Sequence, residues 1–513
     1  MTIARRYGAL AGIAAAGAGL GASELLSGLL HQRVSPLVAV SESVIGLTPG
    51  SVVEFVISIV GRNDKPLLIA ATLVGLAIVS AVSGVVALRS RFAAEAILVA
   101  MGIVLVAAVH ARLTPSTVTY VPAVIGVVVA MVTLAWLTPF AFNAAQRGSP
   151  RSAASNLRRS MPARRDFLLL AGSATLIAIV AGGAGRVFAQ GRAAVEAARS
   201  KLRLPITKPT PPPGVNLGVA GVTPYITPQG SFYRIDTALS VPQILPTDWR
   251  LRIHGMVDRE ITVTYHDLVA RGLTEAWVTL CCVSNIVGGD LISNARWSGV
   301  RIADVLKDAG IHGNADAVLA TSSDGWTCGT PLGALTDDRN AMFAMAMNGE
   351  PLTPEHGFPV RMVVPGLYGY VSACKWVEDL NVTRFDDFSA FWTQRGWSPQ
   401  GPVKTESRID VPSNGQSVPA GQVAIGGVAW AQHTGISKVE VHVDDGPWQV
   451  ASLGADPSID TWRQWVHGWH ATPGLHQIQV RATDATGRVQ TSTVAGVLPN
   501  GATGWHTITV RVT

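Results

Sequence analysis

"TLCCVSN", residues 279–285, puts two adjacent cysteines at the end of an apolar run, in a chain of 513 residues that has four cysteines in all. Successive side chains of a strand point to opposite faces, so Cys281 and Cys282 cannot share one environment. Cys282 opens "VSNIVGGD", a loop with two glycines. A thiolate at a strand end before such a loop is placed to ligate a soft metal or to act as a nucleophile. A nucleophile needs a base, and no histidine motif beside it supplies one. The plain alternative is a strand cysteine that only packs. The four cysteines form no C-x-x-C pair, haem attachment motif or zinc spacing, and leave room for at most one disulfide of the oxidising-compartment kind.

Working outward, "HGFPVRMVVPGLYGYVSACKW" (356–376) gathers His356, Arg361 and Lys375 around an apolar strand and a Pro-Gly turn. Cations there are costly in a core and make sense facing an anionic ligand. "FYRID" (232–236) adds Arg234, and "SSDGW" (322–326) offers short polar groups on a turn. Cations with an isolated thiolate suit a cofactor that has a phosphate tail and a thiolate-seeking metal.

The surrounding pattern predicts an α+β domain. "WRLRIHGMV", "AWVTLCC", "DAVLATSS", "NAMFAMAM", "FPVRMVVPG" and "KWVEDLNV" read as strands, with Asn348-Gly349 as a turn. "RIADVLKDAG" (301–310) reads as a helix with a glycine stop. Beyond residue 400, "GQVAIGGVAW", "SKVEVHVD", "HQIQVRATD", "GRVQTSTV" and "WHTITVRV" are short strands between turns, which predicts an immunoglobulin-like β-sandwich over 400–513. The tryptophans of "DTWRQWVHGW" (460–469) read as core and interface residues of that sandwich.

The first third is different. Apolar stretches at about 8–30, 66–88, 92–111, 117–139 and 167–188 are long enough to span a bilayer. The stretch 36–61, broken by Glu42, Pro49, Gly50 and Glu54, reads as a re-entrant or surface segment. The net charge of +6 owes much to Arg147, Arg151, Arg158, Arg159, Arg164 and Arg165, a run that fits a cytoplasmic loop and not a nucleic-acid surface. With that run inside, five spans leave residues 189–513 on the extracytoplasmic side of a multi-pass cell-membrane protein. "ARRDFLLLAGSA" (163–174) resembles a twin-arginine export signal; a chance arginine pair at a membrane boundary is the alternative. His31 and His110 read as interfacial side chains rather than a haem pair. A Pro-rich spacer, 189–224, separates this membrane region, 1–188, from the soluble part.

"VTLCCVSN" (278–285), then "GGDLISNARWSGVRIADVL" (288–306), "MNGEPLTPEHGFPVRMVVPG" (347–366) and the Lys375-Trp376 pair together resemble the sulfite oxidase family of molybdenum enzymes. The resemblance runs over about 225–385, within a domain placed at 225–390, and the sandwich is similar to the family's dimerisation domain. It implies a molybdenum–molybdopterin cofactor, with Cys282 as the metal-ligating, catalytic cysteine beside the two dithiolene sulfurs. It further implies that Arg234, Asp236, Ser323, Asp324, His356, Arg361, Ala373, Cys374 and Lys375 hold the cofactor. Where animal and plant sulfite oxidases carry sulfite-binding arginines, this chain reads Asn285-Ile286-Val287, and Cys328 stands near the place of their catalytic tyrosine. Cys328 is then either a second pocket group or a packing thiol. The expected function is oxygen-atom transfer on a small oxyanion, S-oxide or N-oxide, with electrons passing to a separate cytochrome or quinone-linked partner and a homodimer through the sandwich. The rivals are an S-oxide or N-oxide reductase on the same scaffold and a non-catalytic membrane adaptor.

Overall fold

The computed structural model describes residues 2–30, 32, 35–48, 52, 64–110, 117–146, 172 and 192–513. They divide into two compact units, Met1–Ala194 with Ala238–Gln243, and Val195–Thr237 with Ile244–Thr513.

The first unit is helical: α1 (Thr2–Leu29), α2 (Pro36–Leu47), α3 (Asp64–Ala87), α4 (Arg91–His110) and α5 (Val121–Gln146). Four helices are long and apolar enough to cross a membrane, over Ala4–Leu29, Leu67–Ala87, Arg91–His110 and Val118–Phe142. These match four of the expected spans. The fifth, the arginine run, the export-like motif and His31 lie outside the described residues. With 12 residues, α2 is too short to span; at 1.5 Å per residue it reaches about 18 Å. Small residues let the helices approach closely. A Cβ on Gly12 of α1 would lie 1.9 Å from the Ser80 carbonyl oxygen of α3, and one on Gly19 would lie 2.4 Å from that of Gly126 in α5. His110 hydrogen-bonds the Tyr120 hydroxyl through Nδ1 at 2.7 Å.

The second unit begins at Val195, within α6 (Arg192–Lys201). This helix falls inside the expected spacer, yet it is tied to the soluble core. Val195 is buried with Phe232, Val278 and Trp297, and Arg199 Nε donates to the Leu352 carbonyl at 2.9 Å. Next come β1 (Arg250–Gly255), β2 (Ile261–Thr264), α7 (Tyr265–Ala270), β3 (Thr274–Cys281), β4 (Ile292–Arg301), α8 (Ile302–Ala309) and β5 (Ala317–Ser322). They are followed by β6 (Thr327–Pro331), α9 (Leu332–Thr336), β7 (Met342–Met347), β8 (Glu350–Pro351), β9 (Arg361–Val363) and β10 (Val377–Thr383). One sheet has the order β2-β1-β10-β5-β6; the other runs β3-β4-β7-β8, with β9 also paired to β7. Every residue of β7 is buried, as a continuous apolar run predicts. The Asn348-Gly349 turn takes φ of 55° and 77°, the left-handed values of a tight hairpin.

The remainder pairs two sheets over one core. Its strands are β11 (Glu406–Val411), β12 (Ser417–Val418), β13 (Gly421–Trp430), β14 (Ile436–Val443), β15 (Gln449–Val450), β16 (Ser452–Leu453), β17 (Arg463–Ala471), β18 (Gly474–Asp484) and β19 (His506–Val512). The orders are β11-β13-β17-β16 and β12-β19-β18-β14-β15. Ile409, Ile425 and Trp465 from the first sheet interleave with Val439, Val480 and Val510 from the second. The expected strand "GRVQTSTV" does not form. Gln490 turns its side chain inward, where Oε1 accepts from the Ser407 hydroxyl at 2.7 Å and the Ala482 amide at 3.0 Å. Exposed Val489 precedes it, and a loop carrying exposed Val494 follows. The tryptophan-rich segment instead supplies β17, with Trp462 and Trp465 buried.

Candidate cofactor site

β3 delivers the cysteine pair to the end of its sheet. Cys281 is its last residue, pairs with Ile292 of β4 and is 1% exposed, against 8% for Cys282. The Cys282 amide donates to the Leu291 carbonyl at 2.9 Å, closing the neck of a loop. Within it, the Leu291 amide donates to Asn285 Oδ1 at 2.9 Å. Burial raises the pKa of both thiols; at Cys282 hydrogen bonds from Ser284 oppose the rise. A thiol in that state reaches its anionic form most readily by binding a cation.

The cations come from a different sheet end. β9 starts at Arg361, which bridges Lys375, while the Met362 amide donates to the Cys374 carbonyl at 2.8 Å. Gly357, at φ +101°, allows the close approach: a Cβ there would meet Arg361 Cβ at 2.9 Å and Lys375 Cβ at 3.2 Å. Lys375 Nζ donates to Asp236 Oδ2 at 2.8 Å, and Arg234 Nε donates to the same oxygen at 2.8 Å. Arg361 is 4% exposed and donates to the backbone carbonyls of Met362 and His356; its guanidinium lies 5.2 Å from the centroid of the Trp297 ring. Among the described residues it has no carboxylate partner. Burial brings Arg361 down to about 10 and Lys375 to about 8. Burial, then the charges of Arg361 and Lys375, take His356 to about 3. His356 is therefore neutral. Its Nε2–H donates to the Gln229 carbonyl at 3.0 Å, which leaves Nδ1 as an acceptor.

Tyr233 links the two parts. Its hydroxyl is held protonated by burial first and then by the charges of Cys282 and Cys281, with Arg361 opposing. Sequence reasoning passed over it, because nothing in "FYRID" distinguishes the phenol from a packing aromatic. Trp376 was likewise met only as half of a pair; it is buried at φ +50°, with Nε1 donating to the Pro354 carbonyl at 2.8 Å. A non-glycine residue held at positive φ inside a binding cluster is a feature of constrained sites.

The other expected residues fall around this cluster. Ser323 and Asp324 occupy the turn after β5 and are buried; the Ser323 amide donates to the Trp376 carbonyl at 2.9 Å. Ala373 is half-buried, and its amide donates to the Gly369 carbonyl at 2.9 Å. Cys374 is fully buried, and its pKa is raised by burial and by a hydrogen bond with Cys328. Cys328 thus packs against a neighbouring thiol.

These residues fit a metal-bearing, anionic cofactor. The donor set joins one soft thiolate to a buried guanidinium that lacks a counter-ion. The hydroxyls of Ser322 and Ser323 are buried without a hydrogen-bond partner, a costly state that a bound polar group relieves.

Residues 238–392 match the model of the oxidoreductase molybdopterin binding domain. Human mitochondrial sulfite oxidase is 31% identical over 344 residues, 56% of this chain and 62% of that one. Sulfite oxidase of Gallus gallus is 30% identical over 338 residues, 55% of this chain and 72% of its relative. The chain belongs to the sulfite oxidase family of molybdopterin oxidoreductases. An uncharacterized oxidoreductase of Bacillus subtilis is 36% identical over 155 residues, covering 30% of this chain and 75% of that one. In fold, this family member is similar to the sulfane dehydrogenase SoxCD from Paracoccus pantotrophus, with a TM-score of 0.51 and 24% identity over 56% of this chain and 82% of that one. The chain spans 62% of the length of the human enzyme.

Proposed function

We propose that this chain is a membrane-anchored, extracytoplasmic molybdenum-cofactor oxidoreductase that transfers oxygen atoms and passes electrons to a separate cytochrome or quinone-linked acceptor. The observation that carries it is the buried Arg361, without a carboxylate among the described residues and set with Lys375 and neutral His356, together with Cys282, whose charge and that of Arg361 both act on the Tyr233 hydroxyl. Cys282 would ligate the metal. Arg361, Lys375 and Arg234 would hold the anionic tail, with Asp236 fixing two of them. His356 Nδ1 and the Ser323 hydroxyl would meet the polar edge of the group, and Asp324, Ala373 and Cys374 would shape its cradle. When bound, the cofactor supplies a two-electron redox couple and oxo-transfer chemistry.

The protein's own part is orientation and electrostatics. Tyr233 keeps its proton at neutral pH, so its Oη is a hydrogen-bond donor near Cys282. The apolar strands beneath exclude water, which strengthens each charge interaction. The strand orders of the two C-terminal sheets match the ABED and GFC arrangement, which supports an immunoglobulin-like sandwich. The four apolar helices support membrane anchoring; the arginine distribution supports the extracytoplasmic placement.

Metal analysis of the detergent-solubilised chain, followed by a substrate screen with an artificial electron carrier, tests the proposal. About one molybdenum per chain is expected. Cys282→Ser is expected to keep the fold and lose turnover. A chain that never carries molybdenum refutes the enzyme reading and favours an adaptor.

A further inference from the structure

The loop that begins at Cys282 carries a second message, about substrate. Asn285 is 3% exposed. Its Oδ1 is fixed by the Leu291 amide at 2.9 Å, and this assigns the other end of the amide as Nδ2, a donor with no partner. The next residue, Ile286, is 64% exposed. Four residues of chain hold its Cα within about 14 Å of that of Cys282, and the turn from the Asn285 amide to the Cys282 carbonyl, 3.0 Å, shortens the path.

An apolar neighbour comes from the sandwich. A Cβ built on Gly504 would lie 3.4 Å from Val494 Cγ2 and 3.8 Å from Val287 Cγ2, so the two valines flank one glycine. Val494 is 86% exposed. Val287 and Val494 therefore form an apolar lip at the cysteine loop, and exposed Ile286 is the adjacent residue on that loop. Among the described residues, the guanidinium that hydrogen-bonds this loop is already committed: Arg408 donates to Asp410 Oδ1 at 2.7 Å, the Gly289 carbonyl at 2.8 Å and Thr223 Oγ1 at 2.8 Å. A small oxyanion entering here meets a neutral amide and branched hydrocarbon, and loses water without gaining a counter-charge.

We propose that Asn285, Ile286, Val287 and Val494 determine specificity, and that the substrate is an uncharged oxo compound with an apolar arm rather than a small oxyanion. This rests on the molybdenum reading above. Asn285 Nδ2–H donates to the substrate oxygen, while the lip takes the arm out of water. A site that supplies one neutral donor discriminates against an anion because the anion's remaining charge stays unpaired.

The test uses the full-length molybdenum-loaded chain in detergent and two probes. With methyl phenyl sulfoxide, two equivalents of reduced methyl viologen give one electron each to sulfur, the S–O bond breaks, and the oxygen leaves with two protons as water. With sulfite, two equivalents of ferricyanide take one electron each, and water supplies the added oxygen and releases two protons. Binding is read separately, by saturation-transfer NMR. The wild type is expected to favour the sulfoxide in kcat/KM and in binding by ~10–200-fold. Ile286→Arg combined with Val287→Arg should reverse the order by lowering KM for sulfite. Val494→Asp should weaken sulfoxide binding at unchanged molybdenum content. Efficient sulfite turnover by the loaded wild type, or lip variants that leave the preference unmoved, overturns the inference while the cofactor assignment stands. A chain without molybdenum removes the proposed function instead, and the NMR comparison then decides whether the lip prefers the neutral probe.

Discussion

Lys375 and Arg234, paired with Asp236, and the buried Arg361 set the chemistry of single residues. His356 shows how far their field reaches, since burial and the charges of Arg361 and Lys375 bring it to about 3. In the unfolded chain the same imidazole titrates near 6.5. The unfolded state then binds the extra proton between those values, so His356 contributes stability above pH 6.5 that is lost as pH falls toward about 3. For the cofactor-free chain, thermal midpoints should drop over that window, and His356→Gln should flatten the drop; identical slopes for both proteins would refute the cause. The charged residues of the cluster were legible in the sequence, because a cation in an apolar strand calls for an anion. Tyr233 was not, because its role comes from the charges of Cys282 and Arg361 acting on it, and the fold alone brings both within reach.

Among elements, the sandwich does more than follow the cofactor domain. Arg408 of β11 holds the Gly289 carbonyl of the cysteine loop across 119 positions of sequence. The His506 ring of β19 lies where a Cβ on Gly288 would come, at 2.2 Å from Cδ2, and the Trp462 amide donates to Thr279 Oγ1 of β3 at 2.8 Å. Gly288→Val places a branched side chain at φ +76° and into that ring. The strained backbone alone costs ~1–3 kcal/mol, and the expected outcome is reduced molybdenum content with the sandwich still folded, read by metal analysis and circular dichroism.

Glu406, also on β11, is 4% exposed, has Oε1 unpartnered and is raised to about 8 by burial, with Lys404 opposing. Folded protein keeps that proton where the unfolded chain has released it. The stability this gives is fully present below pH 4.5 and is lost as pH rises through about 8. Glu406→Gln should therefore raise the thermal midpoint at pH 8 more than at pH 4.5, at ~2–4 °C for each kcal/mol recovered. Strand positions were largely readable from alternation and turn residues. The brace was not, since nothing local in β11 marks Arg408 for a loop so far away. The "GRVQTSTV" segment failed as a strand for a related reason: Gln490 finds its partners in Ser407 and Ala482, and this inward polar side chain replaces the expected alternation.

At the scale of the whole molecule, hydropathy alone located the four long apolar helices, because spanning length is a property of composition. The two-sheet C-terminal part and the α+β part were visible in outline from their contrasting strand and helix patterns. What joins these parts into one account is a single ligand, the Cys282 sulfur, and X-ray absorption at the molybdenum K-edge of the full-length chain in detergent measures it most directly. The account predicts three sulfur scatterers around molybdenum in the wild type, two from the dithiolene and one from Cys282, and two in Cys282→Ser. An equal sulfur count in both proteins, or a wild-type chain with no molybdenum to measure, would contradict it.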